Sequence, residues 1–210
     1  MLRLYFSPGA VSLVSLIALE EAGAAYEPVR VALGEGANLR PEYLAINPRG
    51  LIPAIEVDGQ IVVETPAILM LIGRLHPESG LLPEDPLGAA RVLELLSFFA
   101  SSVHPGFARL FRAARSSWGS DLPPAMVADD RAILQRFFGD IDQLLAGGDW
   151  LLGDRFSLAD GYPLTVRRWA RRQGFELSHH PNWAAHAGRM LARPAVRQAL
   201  AVEGLDPSEF

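Results

Sequence analysis

Leu51-Ile52-Pro53-Ala54-Ile55-Glu56-Val57-Asp58-Gly59-Gln60-Ile61-Val62-Val63-Glu64-Thr65-Pro66 is the stretch that decides the fold. Two alternating arms meet at Asp58-Gly59, a pair suited to a two-residue hairpin turn because both positions tolerate positive φ. Thr65-Pro66 then reads as the start of a helix running to His76. Threonine caps it, and proline at the first helical position lacks an N–H that would have no partner there anyway. Pro53, heading the first arm, cannot complete a sheet ladder, which leaves a neighbouring backbone free to pair with something else. A cis Ile52-Pro53 bond suits that position.

Toward the N-terminus, Met1–Phe6 reads as a strand with Leu2, Leu4 and Phe6 on one face. After the turn Ser7-Pro8-Gly9-Ala10, Ser12 opens an apolar helix (Leu13, Leu16, Ile17, Leu19) that stops at Gly23. Valine-rich Tyr26–Leu33 reads as a second strand, and a short helical stretch ends near Ile46. The order βαβ, then αββα, predicts a mixed four-stranded sheet. Toward the C-terminus, the loop from Pro77 to Pro86 carries three prolines and a glycine and marks a domain boundary. Everything beyond reads as helix: Leu87–His104, Phe107–Trp118, Pro124–Leu145, Leu158–Gln173, Asn182–Leu191 and Ala195–Val202. The expected fold is α+β, with a unit over residues 1–77, a linker over 78–86 and an all-helical unit over 87–210.

Half of the 210 residues are hydrophobic and a fifth charged, a composition that supports a sizeable core and excludes wholesale disorder. The net charge of −5 argues against a coat for phosphate backbones. All basic residues are arginine. The absence of cysteine removes disulfides, thiolate metal sites and any cysteine nucleophile. The longest uninterrupted apolar run, Ala67 to Gly73, is far shorter than the ~18 residues a membrane span needs. Glu20 and Glu21 interrupt any secretory leader pattern, so a soluble cytoplasmic protein without nucleic-acid or membrane partners is expected.

Three features converge on one function. Tyr5 to Ser12 carries a strand's C-terminal edge into a helix N-terminus, where N–H groups and the helix dipole favour an anion. Ile52-Pro53 offers an unpaired backbone. Glu64-Thr65-Pro66 places a carboxylate for an amine beside helix N–H groups for a carboxylate, as one end of an amino acid requires.

With these stretches, the chain resembles the glutathione transferase family, and most closely its bacterial beta-class members. The resembling segments are Leu4-Tyr5-Phe6-Ser7-Pro8-Gly9-Ala10, Ile17 to Gly23, Tyr43-Leu44-Ala45-Ile46-Asn47-Pro48-Arg49-Gly50-Leu51-Ile52-Pro53-Ala54, and Glu64 to Leu69. In the second half, Phe156-Ser157-Leu158-Ala159-Asp160 is similar to the family's capping box. The resemblance implies a thioredoxin-like N-terminal domain, a helical C-terminal domain, glutathione as cosubstrate and a homodimer. It gives Ile52 the role of pairing its backbone with the cysteinyl unit, Pro53 that of the cis-proline, and Glu64 and Thr65 that of holding the γ-glutamyl end. His104 falls where beta-class members place a histidine facing the cleft. Their characteristic cysteine falls on Val11, and the lysine after the histidine on Pro105.

A thiol with pKa near ~8.5 is little ionised at neutral pH, so a transferase gains by stabilising the thiolate. Ser12 is the first candidate to donate a hydroxyl to the sulfur, with Tyr5 and Ser7 as competitors. A pocket walled by Phe107, Phe111, Trp118 and His104 would receive a small hydrophobic electrophile. A non-catalytic glutathione or ligand carrier, or a glutathione-dependent isomerase or dehalogenase, are the rival readings. The trio His179, His180 and His186 reads as surface rather than metal site, and Arg167, Arg168, Arg171 and Arg172 around Trp169 read as a solvated helix face. Ser157 to Asp160 reads as a structural capping box; Gly161 and Pro163 after it carry no functional reading.

Overall fold

The computed structural model describes residues 1–113 and 123–210. Strands β1 (Leu2–Phe6), β2 (Tyr26–Arg30), β3 (Ala54–Val57) and β4 (Gln60–Val63) form one sheet in the order β2-β1-β3-β4. β1 runs parallel to β2 and antiparallel to β3, with Tyr5 opposite Ala54. The parallel pair is joined through α1 (Ser12–Glu21), and the hairpin turns at Asp58 (φ 50°) and Gly59 (φ 82°), the left-handed pair its sequence announced. β2 ends at Arg30 rather than Leu33, after which Val31 N–H still reaches Phe6 C=O and the chain coils into short 3₁₀ turns. α2 (Pro41–Leu44) and α3 (Thr65–Leu75) complete this half. Thr65 does not cap α3. Glu64 holds the cap position at φ 72°, and Thr65 is the first helical residue, buried at 6% exposure.

The helices beyond are α4 (Pro86–Phe98), α5 (His104–Ala113), α6 (Pro124–Leu144), α7 (Gly161–Arg172), α8 (Pro181–Ala192) and α9 (Pro194–Glu203), followed by a 3₁₀ turn at Pro207–Glu209. α4 does not break at His104 as expected. Phe99–Val103 widens into a π turn and His104 stays helical at φ −59°, ψ −42°. Pro105 has no N–H for the carbonyl a turn earlier, and the wider turn accommodates that missing bond without ending the helix. The joined stretch Pro86–Phe111 is long and apolar enough, by composition, to cross a bilayer. Its Val92, Leu96, Phe99, Val103 and Phe107 nonetheless lie fully inside the protein core.

α7 begins at Gly161, not Leu158. Asp160 spends its carboxylate before the helix starts, accepting from Leu151 N–H (2.9 Å), Ser157 N–H (2.8 Å) and Ser157 Oγ (3.0 Å). Gly161 has a packing reason: a Cβ there would stand 3.0 Å from Val14 Cγ1, so its absence lets α7 lie close against α1. His186 departs from the surface reading. It is fully buried, faces Trp150 at 5.7 Å between ring centres, and places Nε2 3.3 Å from Asp160 Oδ1. No metal-type cluster occurs among the described residues. One apolar cluster runs from Leu4 and Phe6 on β1 through α1 to Phe107, Phe138 and Trp183, while Tyr5, Val31, Tyr43 and Ala54 pack a small second cluster on the other face of the sheet.

Candidate functional site

A hollow of about 600 Å³ opens where the end of β1 meets the helical half. One side is the turn Pro8-Gly9-Ala10-Val11 with Leu51 and Ile52; the other is His104 and Phe111 from α5 with Arg168, Trp169 and Arg172 from α7 and Gln173 just past its end.

The turn is held from across the molecule. Gly9 sits at φ 73°; its N–H donates to Glu203 Oε2 at 2.7 Å, and its C=O accepts from Trp169 Nε1 at 2.8 Å. This leads into α1, whose N-cap Val11 offers no side-chain cap; Leu13 and Val14 N–H bond the Ala10 and Val11 carbonyls at 3.2 and 3.0 Å, which leaves the N–H groups of Val11 and Ser12 as the donors at the head of the helix. Ile52 lines the same side, ahead of a cis bond to Pro53. Its neighbours are fixed by side chains: Tyr43 Oη and Asn47 Nδ2 both donate to Leu51 C=O at 2.7 Å, and Asn38 Nδ2 donates to Gly50 C=O at 2.7 Å. Burial also pushes the Tyr43 phenol up to about 12, so it remains a donor.

Of the residues singled out from sequence, Val11, Ile52, His104 and Phe111 meet in this hollow. Ser12 does not. It is completely buried, its Oγ accepts from Ser7 N–H at 3.1 Å and donates to Ser7 C=O at 3.2 Å, and it closes the turn from behind. Tyr5 is turned to the far face of the sheet, where its hydroxyl donates to Glu56 at 3.2 Å beside the Arg3 guanidinium. Ser7 is buried, with Oγ accepting from Leu33 N–H. None of the three hydroxyls faces the hollow, because each is spent on the backbone or on a carboxylate. Phe107 is a core residue at zero exposure rather than a wall. Trp118 lies outside the described residues. Glu64 and Thr65 stand at the start of α3, apart from the hollow's walls. Glu64 is exposed and already has a partner, Arg49 Nη1 at 3.1 Å.

The sequence reading missed Asn38 and Glu203, and took Arg168, Trp169 and Arg172 for a solvated helix face where they wall the hollow. Arg168 is no solvated cation: it is 6% exposed, and its Nε and Nη2 bond Glu209 Oε2 at 3.1 and 2.8 Å. The four-residue spacing of Arg168 and Arg172, which puts both on one helix face, was the available signal.

His104, which is half-buried, and Glu203, which is buried, are shifted from their ordinary values. Burial lowers the His104 imidazole from its ordinary 6.5 to about 4, so at neutral pH it is uncharged, packed on Trp169 at 5.0 Å between ring centres. Burial raises Glu203 from 4.5 to about 8, against the opposing pull of Gly9 N–H and of the Arg168 charge. Between pH 4 and 6.5 the unfolded His104 takes a proton that the folded one refuses, so its contribution to stability grows with pH. Between pH 4.5 and 8 the folded Glu203 keeps a proton that the unfolded one releases, so its contribution falls with pH. The two oppose up to 6.5, and above that only the second remains. Melting temperature at constant ionic strength is therefore expected to decline from pH 6.5 to 8, and Glu203→Gln is expected to flatten the decline. An equal slope in that variant would refute the assignment.

Residues 1–74 match the glutathione S-transferase N-terminal domain family and residues 120–194 the glutathione S-transferase C-terminal domain family. The chain is 34% identical over 207 residues to the glutathione S-transferase GstA of Escherichia coli O157:H7, covering 97% of this chain and all of that one. Among solved structures it is similar to a Sulfitobacter glutathione transferase homologue with bound glutathione (TM-score 0.87, 32% identity, 98% and 99% coverage). It is also similar to a sphingomonad glutathione S-transferase complexed with glutathione (TM-score 0.85, 36% identity, 97% and 100% coverage).

Proposed function

The chain belongs to the glutathione S-transferase family, and from that premise we propose that it is a transferase joining the sulfur of glutathione to a small electrophile with an apolar body. The observation that carries this reading is that the Ile52–cis-Pro53 edge and the start of α1 at Val11 open onto one hollow, whose other wall is the helical half. The backbone of Ile52 pairs with the cysteinyl unit. The Glu64 carboxylate takes the γ-glutamyl ammonium, sharing it with Arg49, and Thr65 with the first N–H groups of α3 takes the α-carboxylate. The thiolate lies at the head of α1 beside Val11, where the helix dipole favours the anion over the thiol. His104, uncharged, offers the sulfur a neutral ring edge, while Phe111 and Trp169 flank the electrophile. In the reaction the sulfur forms a bond to carbon, the leaving group departs with its electron pair, and the thiol proton passes to solvent.

Residues 1–77 act as the glutathione-binding unit, joined by 78–86 to the helical unit over 87–210. The protein works in the cytoplasm as a homodimer, a state supported by the exposed Leu75, Leu87 and Leu93 on α3 and α4 and checked by light scattering on a sizing column.

Calorimetric titration with glutathione, paired with a conjugation assay using 1-chloro-2,4-dinitrobenzene and other electrophiles, tests the activity. Binding with turnover is expected; binding without turnover across all of them would instead make the protein a carrier. Thr65→Val keeps the shape of a buried side chain and removes its hydroxyl, so glutathione affinity is expected to fall on the order of tenfold with the melting temperature little changed. Unchanged affinity would place the γ-glutamyl end elsewhere.

A further inference from the structure

We propose that the electrophile taken by this site carries an acidic group, a carboxylate or a comparable oxyanion, which Arg172 receives at the mouth of the hollow with Arg168 beside it. The inference rests on the conjugating function proposed above and names the substrate class of the same site.

Arg168 and Arg172 are one helical turn apart on α7, so both side chains leave the same face, and that face walls the hollow together with Gln173. The remaining wall is largely apolar, with Val11, Ile52, Phe111 and Trp169. An electrophile that is hydrophobic throughout has no use for two guanidinium groups on one wall, of which Arg168 alone is withdrawn from water and needs an acceptor to offset that cost. Glu209 is the carboxylate paired with both. It takes Arg168 Nε and Nη2, and Arg172 Nη1 at 3.1 Å. The Arg168 side chain is 8% exposed and held along one edge by this carboxylate, whereas the Arg172 side chain is 61% exposed and keeps its other N–H donors.

Arg171, on the same helix, is spent on the Ser208 and Phe210 carbonyls, and two further ionisable groups reach this wall from other helices. Glu203, reaching in from α9, is largely protonated at neutral pH because burial raises it to about 8. His104 on α5 is uncharged because burial lowers it to about 4. Two cations thus share one carboxylate and leave one positive charge uncompensated beside an apolar recess. A guanidinium edge in such surroundings matches a planar carboxylate and can bind it through two parallel hydrogen bonds.

The test compares 4-chloro-3,5-dinitrobenzoate with its methyl ester. In each, the glutathione sulfur bonds to the ring carbon, chloride leaves with the bonding pair and the thiol proton goes to buffer. Each enzymatic kcat/KM is divided by the uncatalysed rate constant with glutathione, which removes the intrinsic difference in reactivity. The wild-type protein is expected to favour the acid on the order of tenfold, and added salt is expected to shrink that preference. Arg172→Gln, at an exposed position that does not threaten the fold, is expected to bring the ratio close to one, with Arg172→Lys restoring part of it. A wild-type ratio of one overturns the proposal. So does an Arg172→Gln protein that loses acid and ester equally through a raised KM for glutathione, since the arginine would then serve the tripeptide's own carboxylate. Failure of glutathione to bind, or of either compound to turn over, brings down the conjugating function itself and this inference with it, a result recognisably different from turnover of both at equal efficiency.

Discussion

Asp160→Ala is expected to lower unfolding free energy by about 4 kcal/mol, a large share of the ~5–15 kcal/mol by which native proteins hold together. Asp160 has no solvent exposure, and its two oxygens serve four donors. Oδ1 takes Leu151 N–H at 2.9 Å and faces His186 Nε2 at 3.3 Å, while Oδ2 takes Ser157 N–H at 2.8 Å and Ser157 Oγ at 3.0 Å. Alanine leaves these donors buried without an acceptor, each at a cost of about 1–3 kcal/mol before relaxation. Asparagine preserves the shape but turns an N–H₂ toward other N–H groups, so only part of the loss is recovered. Urea unfolding followed by fluorescence and circular dichroism, checked for coincident transitions, measures the effect. A loss below about 1 kcal/mol would mean that water replaces the carboxylate and that the box is not what fixes the start of α7.

Gly9→Ala is expected to reduce kcat/KM for conjugation on the order of a hundredfold, a loss typical of a misplaced reacting group. The residue lies at φ 73°, a region that costs an alanine about 1–2 kcal/mol. The new Cβ would also stand 3.0 Å from Arg168 Cζ and closer still to Nη1. The guanidinium would have to leave, taking its bonds to Glu209 with it, or the turn would have to lift off Trp169 and Glu203. Either movement shifts Val11 and the head of α1 relative to Ile52. Wild-type kcat/KM with wild-type melting temperature in this variant would show that the cross-molecule grip on Gly9 does not position the turn.

Much of the scaffold could be read before any tertiary contact was known, because it rests on local chemistry. Asp58-Gly59 has a turn preference independent of its surroundings, Gly23 ends α1 at φ 62°, and Pro66, Pro86 and Pro124 stand where helices begin. The exceptions come from neighbours. Pro105 reads as a break, yet α5 continues through it because the wide turn at Phe99–Val103 is packed into the core around Phe99 and Val103. Thr65 reads as a cap but is buried at the first helical position, and Ser12, which opens α1 as read, gives its hydroxyl to Ser7 C=O rather than to the hollow.

The site divides along the same line. Ile52, Pro53, Val11 and His104 were legible as site residues because they belong to short contiguous patterns, and three of them line the hollow. The grip on Gly9 was not, since Trp169 and Glu203 lie far along the chain and meet it only after α7 and α9 have packed on α1. His186 likewise looks polar and exposed in isolation, and becomes a core residue once Asp160 and Trp150 enclose it.

By itself, then, the amino-acid order determined the strand and helix sequence, the mixed sheet and the proline-led edge, because turn, cap and periodicity preferences act within a few residues. Which polar atoms remain available was decided only by tertiary structure. A hydroxyl or guanidinium is free or spent according to the distant donors and acceptors that folding brings within hydrogen-bond reach, and that placement removed Ser12, Tyr5 and Ser7 from the hollow and installed Arg168 and Arg172 in its wall.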